Sequence, residues 1–244
     1  MSESLWKGYG QTDVGTVRDE NQDSFVVVDQ IGLWCVADGM GGHKEGGIAS
    51  HLVTQSLEGL LNEEYDSFEA RIDAIKNVLQ ESNQALRGLS ESFYGDDLIG
   101  TTVVVLVIDQ NRGAVIWAGD SRLYRMRDTA FELITRDHTQ YEALLEKGLI
   151  EPVANESEHP ASHMLTRAMG VTGECELDVL WLEVQPEDAF LLCSDGLSNK
   201  LEQLDLGKVM YYSEDKERAV ANLINMALAR QANDNVTALI VDRK

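Results

Sequence analysis

Three apolar segments of this chain each end in a small residue that is followed by an aspartate. They are 33–37 before Asp38, 115–119 before Asp120, and 190–194 before Asp195. Apolar runs of this length are typical of buried strands, and a charged residue directly after a strand lies where the sheet opens to solvent. Carboxylate oxygens are preferred ligands of magnesium, manganese and calcium, whereas zinc and copper favour histidine and thiolate. The pattern therefore predicts strand ends that hold hard metal ions.

Pairs of short apolar segments predict two β-hairpins. Segments 25–28 and 33–37 flank the turn-like residues 29–32, and segments 102–108 and 114–118 flank residues 109–113. These connections are too short for a crossover helix, so the strands of each pair are expected to be antiparallel.

Apolar residues at helical spacing predict helices between and after these hairpins. The first helix would bury Ile48, Leu52, Ser56, Leu57 and Leu60, and the second Ile72, Ile75, Leu79, Ser82 and Leu86. A last helix over 216–230 is followed by a closing strand over 236–241. Hairpins interrupted by helix pairs favour an α+β layered domain over a Rossmann-like fold.

Residues 1–244 are expected to form a single domain, because no linker, repeat or low-complexity tract divides them. A flap-like segment at about 141–162 stands apart from the rest. In it, a short helical pattern ends at Gly148 and passes into a polar stretch with little periodicity. Long loops inside compact domains are often lids or binding loops.

Charge and composition exclude several classes of function. The formal net charge of -22 argues against nucleic-acid binding, because an acidic surface repels phosphate backbones. No apolar stretch is long enough to span a membrane and the start lacks a signal-peptide pattern, so we expect a cytoplasmic protein without membrane contact, and a monomer. The three cysteines form no Cys-x-x-Cys pair and are expected to be reduced packing residues.

A glycine-rich loop follows the first strand-end aspartate. Residues 36–47 contain five glycines and run into the helix that starts near Ile48. The Walker pattern requires Gly-Lys followed by Ser or Thr, whereas Lys44 precedes Glu45, so nucleotide binding by this loop is rejected. Glycine after Asp38 would expose a backbone carbonyl beside the carboxylate, and carbonyl oxygen is a suitable ligand for a hard metal ion.

Taken together, these segments resemble the protein phosphatase 2C family of metal-dependent serine/threonine phosphatases, in its bacterial form. The resemblance covers nearly the whole chain, and the order and spacing of the motifs make it specific. The matching segments are 10–23, with Gly15, Arg18 and Asn21-Gln22-Asp23; 36–47; Gly100-Thr101-Thr102; Gly119-Asp120-Ser121-Arg122; Asp137-His138-Thr139; 165–170; Ser194-Asp195-Gly196-Leu197; and Asp234-Asn235-Val236-Thr237.

The resemblance implies a fold and a reaction. The fold would be a four-layer α-β-β-α sandwich of two antiparallel sheets flanked by helix pairs, with two magnesium or manganese ions at one end. A water or hydroxide bridging the two ions would attack the phosphorus of phosphoserine or phosphothreonine, without a phosphoenzyme. The substrates would be phosphoproteins, and the chain would oppose a bacterial Ser/Thr kinase.

The resemblance also implies roles for particular residues. Asp38 would bridge the two metals, the Gly39 carbonyl would bind one of them, and the other would be completed by Asp195 and Asp234. Asp23 would hold a metal-bound water, and Arg18 would bind the substrate phosphate. Bacterial relatives often hold a third, weaker ion, whose ligands here would be Asp120 and Asp195.

Taken singly, several of these residues leave alternatives open. Asp120 could be a turn residue, and Arg18 could be a surface ion-pair residue. His43 lies beside the metal loop and could be the general acid for the leaving oxygen, but relatives outside bacteria place a histidine directly after the Asp-Gly pair, where this chain has Met40. His163 stands where asparagine is common in the family. Other motif residues are expected to be structural within their own strand or turn: Thr101, Thr102 and His138.

Three other functions fit the sequence less well. A catalytically silent module of the same fold would be expected to lose metal ligands, and all the main ones are present here. A calcium-binding structural domain would carry an alternating Asp-x-Asp-x-Asp-Gly loop. A phosphatase of the haloacid dehalogenase type would need an Asp-x-Asp at a strand end, where this chain has Asp38-Gly39-Met40.

Overall fold

The computed structural model describes residues 5–41, 45–94, 99–153, 156 and 159–243. Within these residues the strands are β1 (Trp6–Asp13), β2 (Asp23–Val28), β3 (Leu33–Met40), β4 (Gly100–Thr101), β5 (Val103–Asp109), β6 (Arg112–Ala118), β7 (Arg122–Arg127), β8 (Ala130–Leu133), β9 (Asp178–Glu183), β10 (Ala189–Cys193) and β11 (Val236–Arg243). The α-helices are α1 (Glu45–Glu58), α2 (Phe68–Leu89), α3 (Gln140–Glu146), α4 (Asp195–Ser198), α5 (Gln203–Tyr212) and α6 (Lys216–Ala229).

Two antiparallel sheets lie at the centre of the molecule. One has the strand order β1-β11-β10-β7-β8, and the other has the order β2-β3-β5-β6-β9, with β4 paired to the end of β3. Both predicted hairpins are confirmed, as β2–β3 and β5–β6. The β2–β3 register places Asp23 directly opposite Asp38.

Alternating side chains along the strands divide the core into three apolar layers. In β3, Leu33 packs in the cluster that contains α1 and α2, whereas Trp34 and Val36 pack between the sheets. In β10, Leu191 packs in the cluster of α5 and α6, whereas Leu192 faces the other sheet. Because successive strand residues point to opposite faces, each sheet is covered by apolar residues on both sides. The predicted four-layer α-β-β-α sandwich is confirmed.

The predicted apolar face of the second helix is correct, and the last helix forms where it was predicted. In α2 the predicted face is fully buried, with the residues Ile72, Ile75, Leu79, Ser82 and Leu86. Helix α6 covers Lys216–Ala229 and buries Leu223 and Ile224, and β11 extends the predicted closing strand to Arg243.

The predicted apolar face of the first helix is wrong in part. Ile48 is 42% exposed, and the residues that pack against the sheet are Ala49, Val53 and Leu57. The smallest residues of α1 decide its rotation: an added Cβ on Gly46 would lie 2.8 Å from the backbone of Gly39. A helix that lies so close to a strand has room only for glycine and alanine at the contact, so its larger apolar residues cannot determine which face is buried.

Two further sequence predictions concern the segment after β8 and membrane-spanning helices. The short helix predicted before Gly148 is α3, and Gly148 has a φ of +63°, in the left-handed region that favours glycine. Of the flap-like segment 141–162, residues 154, 155, 157 and 158 lie outside the described residues, and its role stays a prediction. In the described part of the chain, every helix is too short or too polar to cross a membrane.

Candidate metal centre

Two aspartates of neighbouring strands lie side by side at one end of the second sheet. Asp23 opens β2 opposite Asp38 in β3 and is only 3% exposed. Its Oδ2 accepts hydrogen bonds from Ser194 Oγ at 2.7 Å and from Thr237 Oγ1 at 2.6 Å. Its Oδ1 is buried and has no hydrogen-bond partner among the described residues. A buried carboxylate oxygen in this state has room for a water molecule or a cation.

The backbone of Asp38 is held by two threonines. Thr102 N and Thr101 Oγ1 both donate to the Asp38 carbonyl oxygen, at 2.8 and 2.9 Å. Asp38 N donates to Thr102 Oγ1 at 3.1 Å, and that hydroxyl lies 2.7 Å from Ser121 Oγ. Both threonines are buried, and Thr101 Oγ1 also donates to the Thr102 carbonyl oxygen at 2.9 Å, in agreement with the expected packing and pairing within their own segment. In addition, they connect the Asp38 strand with the turn that carries Asp120.

Asp195 is the first residue of α4, and only Ser194 separates it from the end of β10. Its Oδ2 accepts a hydrogen bond from Asn199 Nδ2 at 3.1 Å. The next residue must be glycine, because a Cβ on Gly196 would lie 1.9 Å from the carbonyl oxygen of Asn235. This close approach brings the Asp195 turn against the segment that carries Asp234.

The side chain of Asn235 fastens the loop that carries Arg18. Its Nδ2 donates to the carbonyl oxygens of Val14 and Glu20 at 2.9 and 3.0 Å. Its Oδ1 accepts from Gln22 N at 2.8 Å. One amide side chain therefore fixes both ends of the 14–22 loop against the segment before β11.

Arg18 and Asp234 form an ion pair with two hydrogen bonds. Arg18 Nε donates to Asp234 Oδ1 at 3.0 Å, and Nη2 donates to Oδ2 at 2.7 Å. The two side chains are 55% and 37% exposed, and the bond to Asp234 raises the pKa of Arg18. The residues expected to bind phosphate and metal thus bind each other in this structure.

Asp120 lies in the turn between β6 and β7, where Gly119 has a φ of +114°. Gly119 N donates to His138 Nδ1 at 3.2 Å, and His138 N donates to the Gly119 carbonyl oxygen at 2.9 Å. Because Nδ1 accepts, the neutral ring carries its proton on Nε2, which lies 3.2 Å from Asp178 Oδ2. Burial lowers the pKa of His138, which favours this neutral form. The expectation that His138 orders its own turn is wrong, since it orders the turn of Asp120.

One cavity of about 580 Å³ brings most of the predicted site residues together. Its lining includes Arg18, Asp38, Gly39, Asp120, Asp195 and Asp234. His163, Thr166 and Arg167, which follow the flap-like segment, line the same cavity. His43 lies outside the described residues, and its role as a general acid stays a hypothesis.

Burial and mutual repulsion raise the pKa of four aspartates at this site. Burial raises the pKa of Asp23 to about 7, although its two hydroxyl donors act against the rise. Burial also raises the pKa of Asp38 well above its usual range, and the charges of Asp23 and Asp195 add to this. The pKa values of Asp120 and Asp195 are raised in the same way. Carboxylates crowded like this repel one another when ionised, and divalent cations can compensate their charge.

The donor atoms at this site fit hard divalent cations. They are carboxylate oxygens and a backbone carbonyl, and Asp23 Oδ1 supplies a buried acceptor without a donor. Across the described ranges, however, no three acidic, histidine or cysteine side chains are already gathered around one metal position. Asp234 is occupied by Arg18. Cation binding by Asp234 would therefore compete with the guanidinium of Arg18 for the same carboxylate oxygens.

Several residues that position the site lie in the matched motifs but were given no role at the site from the sequence. They are Ser121, Ser194, Asn235 and Thr237, together with the two threonines and His138. Each lies within two or three residues of a predicted site residue or within a matched motif. Proximity to the strand-end aspartates was the pattern that could have identified them.

Comparisons with known proteins give a consistent result. Residues 13–238 match the family described as Protein phosphatase 2C. Serine/threonine phosphatase stp of Listeria monocytogenes serotype 4b is 31% identical over 242 residues, which cover 96% of this chain and 94% of that protein. The solved structure of PppA, a key regulatory component of T6SS in Pseudomonas aeruginosa, has a TM-score of 0.89 and 36% identity and covers 99% of both chains. The catalytic domain of PstP in complex with two manganese ions has a TM-score of 0.82 and 31% identity and covers 97% of both chains.

Proposed function

The chain belongs to the protein phosphatase 2C family and is a serine/threonine phosphatase of that type, and we propose that it hydrolyses phosphoserine and phosphothreonine in proteins with two divalent cations bound at the strand ends. The similarity to a PstP catalytic domain that holds two manganese ions supports dependence on metal. Magnesium or manganese would serve, since both prefer oxygen ligands.

One observation carries this proposal. Four aspartates from four separate segments, Asp38, Asp120, Asp195 and Asp234, line a single cavity together with one exposed arginine. A structural role would not require so many carboxylates in one place, because their mutual repulsion destabilises the chain in the absence of a cation. A catalytically silent module would have no need to retain them.

In this proposal each acidic residue has its own role in cation binding. Asp38 would hold both cations, and the Gly39 carbonyl would help to hold one of them. Asp195 and Asp234 would hold the other, and Asp120 with Asp195 would hold a third, weaker ion. Asp23 binds a water molecule through Oδ1, the oxygen that has no donor among the described residues.

Arg18 binds and orients the substrate phosphate in this proposal. When bound, the cations would lower the pKa of a water molecule and neutralise charge on the phosphoryl oxygens. The planar guanidinium of Arg18 can donate two parallel hydrogen bonds to phosphate, as it now does to Asp234. Once Asp234 binds a cation, the same donors are available to the substrate.

The physiological partners follow from the same premise. The substrates would be phosphoproteins, and the chain would oppose a bacterial Ser/Thr kinase by removing the phosphate groups that the kinase adds. Residues 1–244 would act as a single catalytic domain, with the flap-like segment at 141–162 beside the cavity.

Hydrolysis of an aryl phosphate and of a phosphothreonine peptide tests the proposal. Activity should require manganese or magnesium and be abolished by a chelator. Asp38→Asn should lower kcat by about 100-fold or more, since charge stabilisation at the phosphoryl group is lost. The matched control is Asp73→Asn, on the exposed side of α2, which should leave kcat unchanged. Turnover without metal, or an active Asp38→Asn protein, would exclude the two-cation site.

A further inference from the structure

A second cavity, of about 440 Å³, lies at the end of the sandwich opposite the metal centre. Its lining comes from the start of β1, the β2–β3 and β5–β6 turns, the start of α2, the segment between β9 and β10 and the end of β11, with Trp6, Arg71 and Arg243 among its residues. β11 starts beside Asp234 and ends at Arg243. At roughly 3.3 Å per residue, this strand separates the two sites by about 25 Å.

The arginines of the chain fall into two groups according to their ion pairs. Ten of the twelve have a carboxylate oxygen within 4.0 Å, namely Arg18, Arg87, Arg112, Arg122, Arg125, Arg127, Arg136, Arg167, Arg218 and Arg230. Arg71 and Arg243 have no such partner among the described residues, and both line this cavity. The chain has 42 acidic against 20 basic residues, so carboxylate partners are abundant. Two guanidinium groups without a carboxylate oxygen within 4.0 Å among the described residues therefore line one cavity, and this arrangement needs another explanation.

Arg71 is the more buried of the two arginines. Its Nη2 donates to the Ile108 carbonyl oxygen at 3.2 Å, and its Nε is buried without a partner among the described residues. The guanidinium carbon lies 5.3 Å from the centre of the Phe68 ring, which fixes the side chain in place. Burial lowers the pKa of Arg71. A fixed, partly desolvated cation with few acceptors is an energetic cost that a bound anion would offset.

The rest of the lining suits a polar ligand of small size. Four residues with amide side chains also line the cavity, namely Gln30, Gln110, Asn111 and Gln185. Asp109 also lines the cavity and lies more than 4.0 Å from both guanidinium groups, although its charge acts on Arg71. The volume lies within the range of small-molecule sites, about 300–1,000 Å³.

We propose that this cavity binds a small organic oxyanion, with a phosphate or carboxylate group held by Arg71 and Arg243. Guanidinium groups bind both kinds of oxyanion through paired hydrogen bonds. The site is separate from the metal centre and does not depend on the proposed hydrolysis.

Nuclear magnetic resonance of the magnesium-loaded protein tests the proposal, with the indole N–H of Trp6 as reporter. Titration with sulfate represents a phosphate group, and titration with malonate represents carboxylates. We expect a saturable shift of the Trp6 signal with at least one probe, and the probe that saturates identifies the preferred oxyanion. The signal of Trp34, which is fully buried and does not line the cavity, should move less.

Variants separate binding at this cavity from general effects of salt. Arg243→Gln changes an exposed residue at a strand end and should weaken binding by about 10-fold or more, with aryl-phosphate hydrolysis unchanged. Arg218→Gln removes an equally exposed arginine on α6 and should have no effect. The proposal is overturned if neither probe saturates the Trp6 shift, or if the two variants bind equally.

Discussion

Asp23 receives a one-way series of hydrogen bonds. Asn21 Nδ2 donates to Thr12 Oγ1 at 2.8 Å, and that hydroxyl lies 2.7 Å from Thr237 Oγ1. Because Thr237 gives its single proton to Asp23, Thr12 must donate to Thr237. This series and Ser194 both donate to Oδ2 of Asp23, and Oδ1 remains available for a ligand. The sequence located the carboxylate by its motif, but this series could not be predicted, because Asp23 and Thr237 are 214 residues apart.

The stability of the metal-free protein should fall as the pH rises. The folded-state pKa of Asp23 is about 7, against an ordinary value of 3.8, so the unfolded chain releases this proton at lower pH than the folded chain. Stability is therefore lost between these two values, and Asp38, Asp120 and Asp195 act in the same direction. In chelator, we expect Tm to decrease from about pH 5.5 to about pH 8, where ordinary carboxylates are already ionised.

Two controls belong to this pH experiment. Manganese should reverse the decrease in Tm, because cations favour the ionised carboxylates. Asp23→Asn should make the decrease shallower in chelator, because the substituted residue no longer ionises. A Tm that stays constant or rises with pH in chelator would contradict the raised pKa values.

Substitution of Arg18 should affect substrate binding more than turnover. For Arg18→Ala we expect KM for an aryl phosphate to rise about 10-fold, with a smaller change in kcat, since a charged hydrogen-bond donor to the phosphate is lost. The matched control is Arg87→Ala, which removes an arginine of α2 that pairs with Glu91. An unchanged KM in the Arg18 variant would leave only the ion pair with Asp234 as its role.

Secondary-structure elements approach each other closely where glycine allows it. In β1, a Cβ on Gly8 would lie 2.6 Å from the Trp34 ring, and one on Gly10 would lie 2.4 Å from the Phe25 ring. These glycines make room for aromatic rings from the neighbouring sheet. The sequence predicted hairpins well, because short connections limit the topology, but β1 has two glycines and little apolar alternation and was not predicted. Strand β1 forms because of its tertiary packing. Tertiary packing is also the reason why α1 buries a different face from the predicted one.

The close contact between β3 and α1 should make the free energy of unfolding sensitive to substitution of its glycines. A Cβ on Gly39 would lie 2.0 Å from the carbonyl oxygen of Gly46, so Gly39→Ala should lower the free energy of unfolding by about 3 kcal/mol or more. Gly59→Ala adds a methyl group with no neighbour within 4 Å and should change it by less than about 1 kcal/mol. Urea denaturation of the metal-free proteins measures both. Equal stabilities would show that α1 can move away from β3 at little cost.

The two proposed sites, the metal centre and the cavity with Arg71 and Arg243, lie at opposite ends of the molecule because the strands run the length of the sandwich. The strand-end aspartates were predictable from apolar runs that stop at a charge, and the family resemblance supplied their grouping. The Arg18–Asp234 pair was not predictable, because 216 residues separate its members and only the meeting of β1, β2 and β11 brings them together. The cavity with Arg71 and Arg243 has the same origin, since its lining comes from six segments that are distant in the sequence.

The net charge of -22 should affect KM for charged substrates. An acidic surface repels an acidic phosphopeptide and attracts a basic one, and salt screens both effects. Between about 0.05 and 0.3 M salt, KM should therefore fall for a phosphopeptide with acidic flanks and rise for one with basic flanks. Parallel shifts of KM for both peptides would exclude steering by the overall charge.

Diffraction at the manganese absorption edge, from crystals grown with manganese, would locate the cations directly. We expect two anomalous peaks at the strand ends, with Asp38 in contact with both, Asp195 and Asp234 in contact with one, and Arg18 released from Asp234. No peak in this cavity, or peaks that Asp38 does not contact, would contradict this expectation.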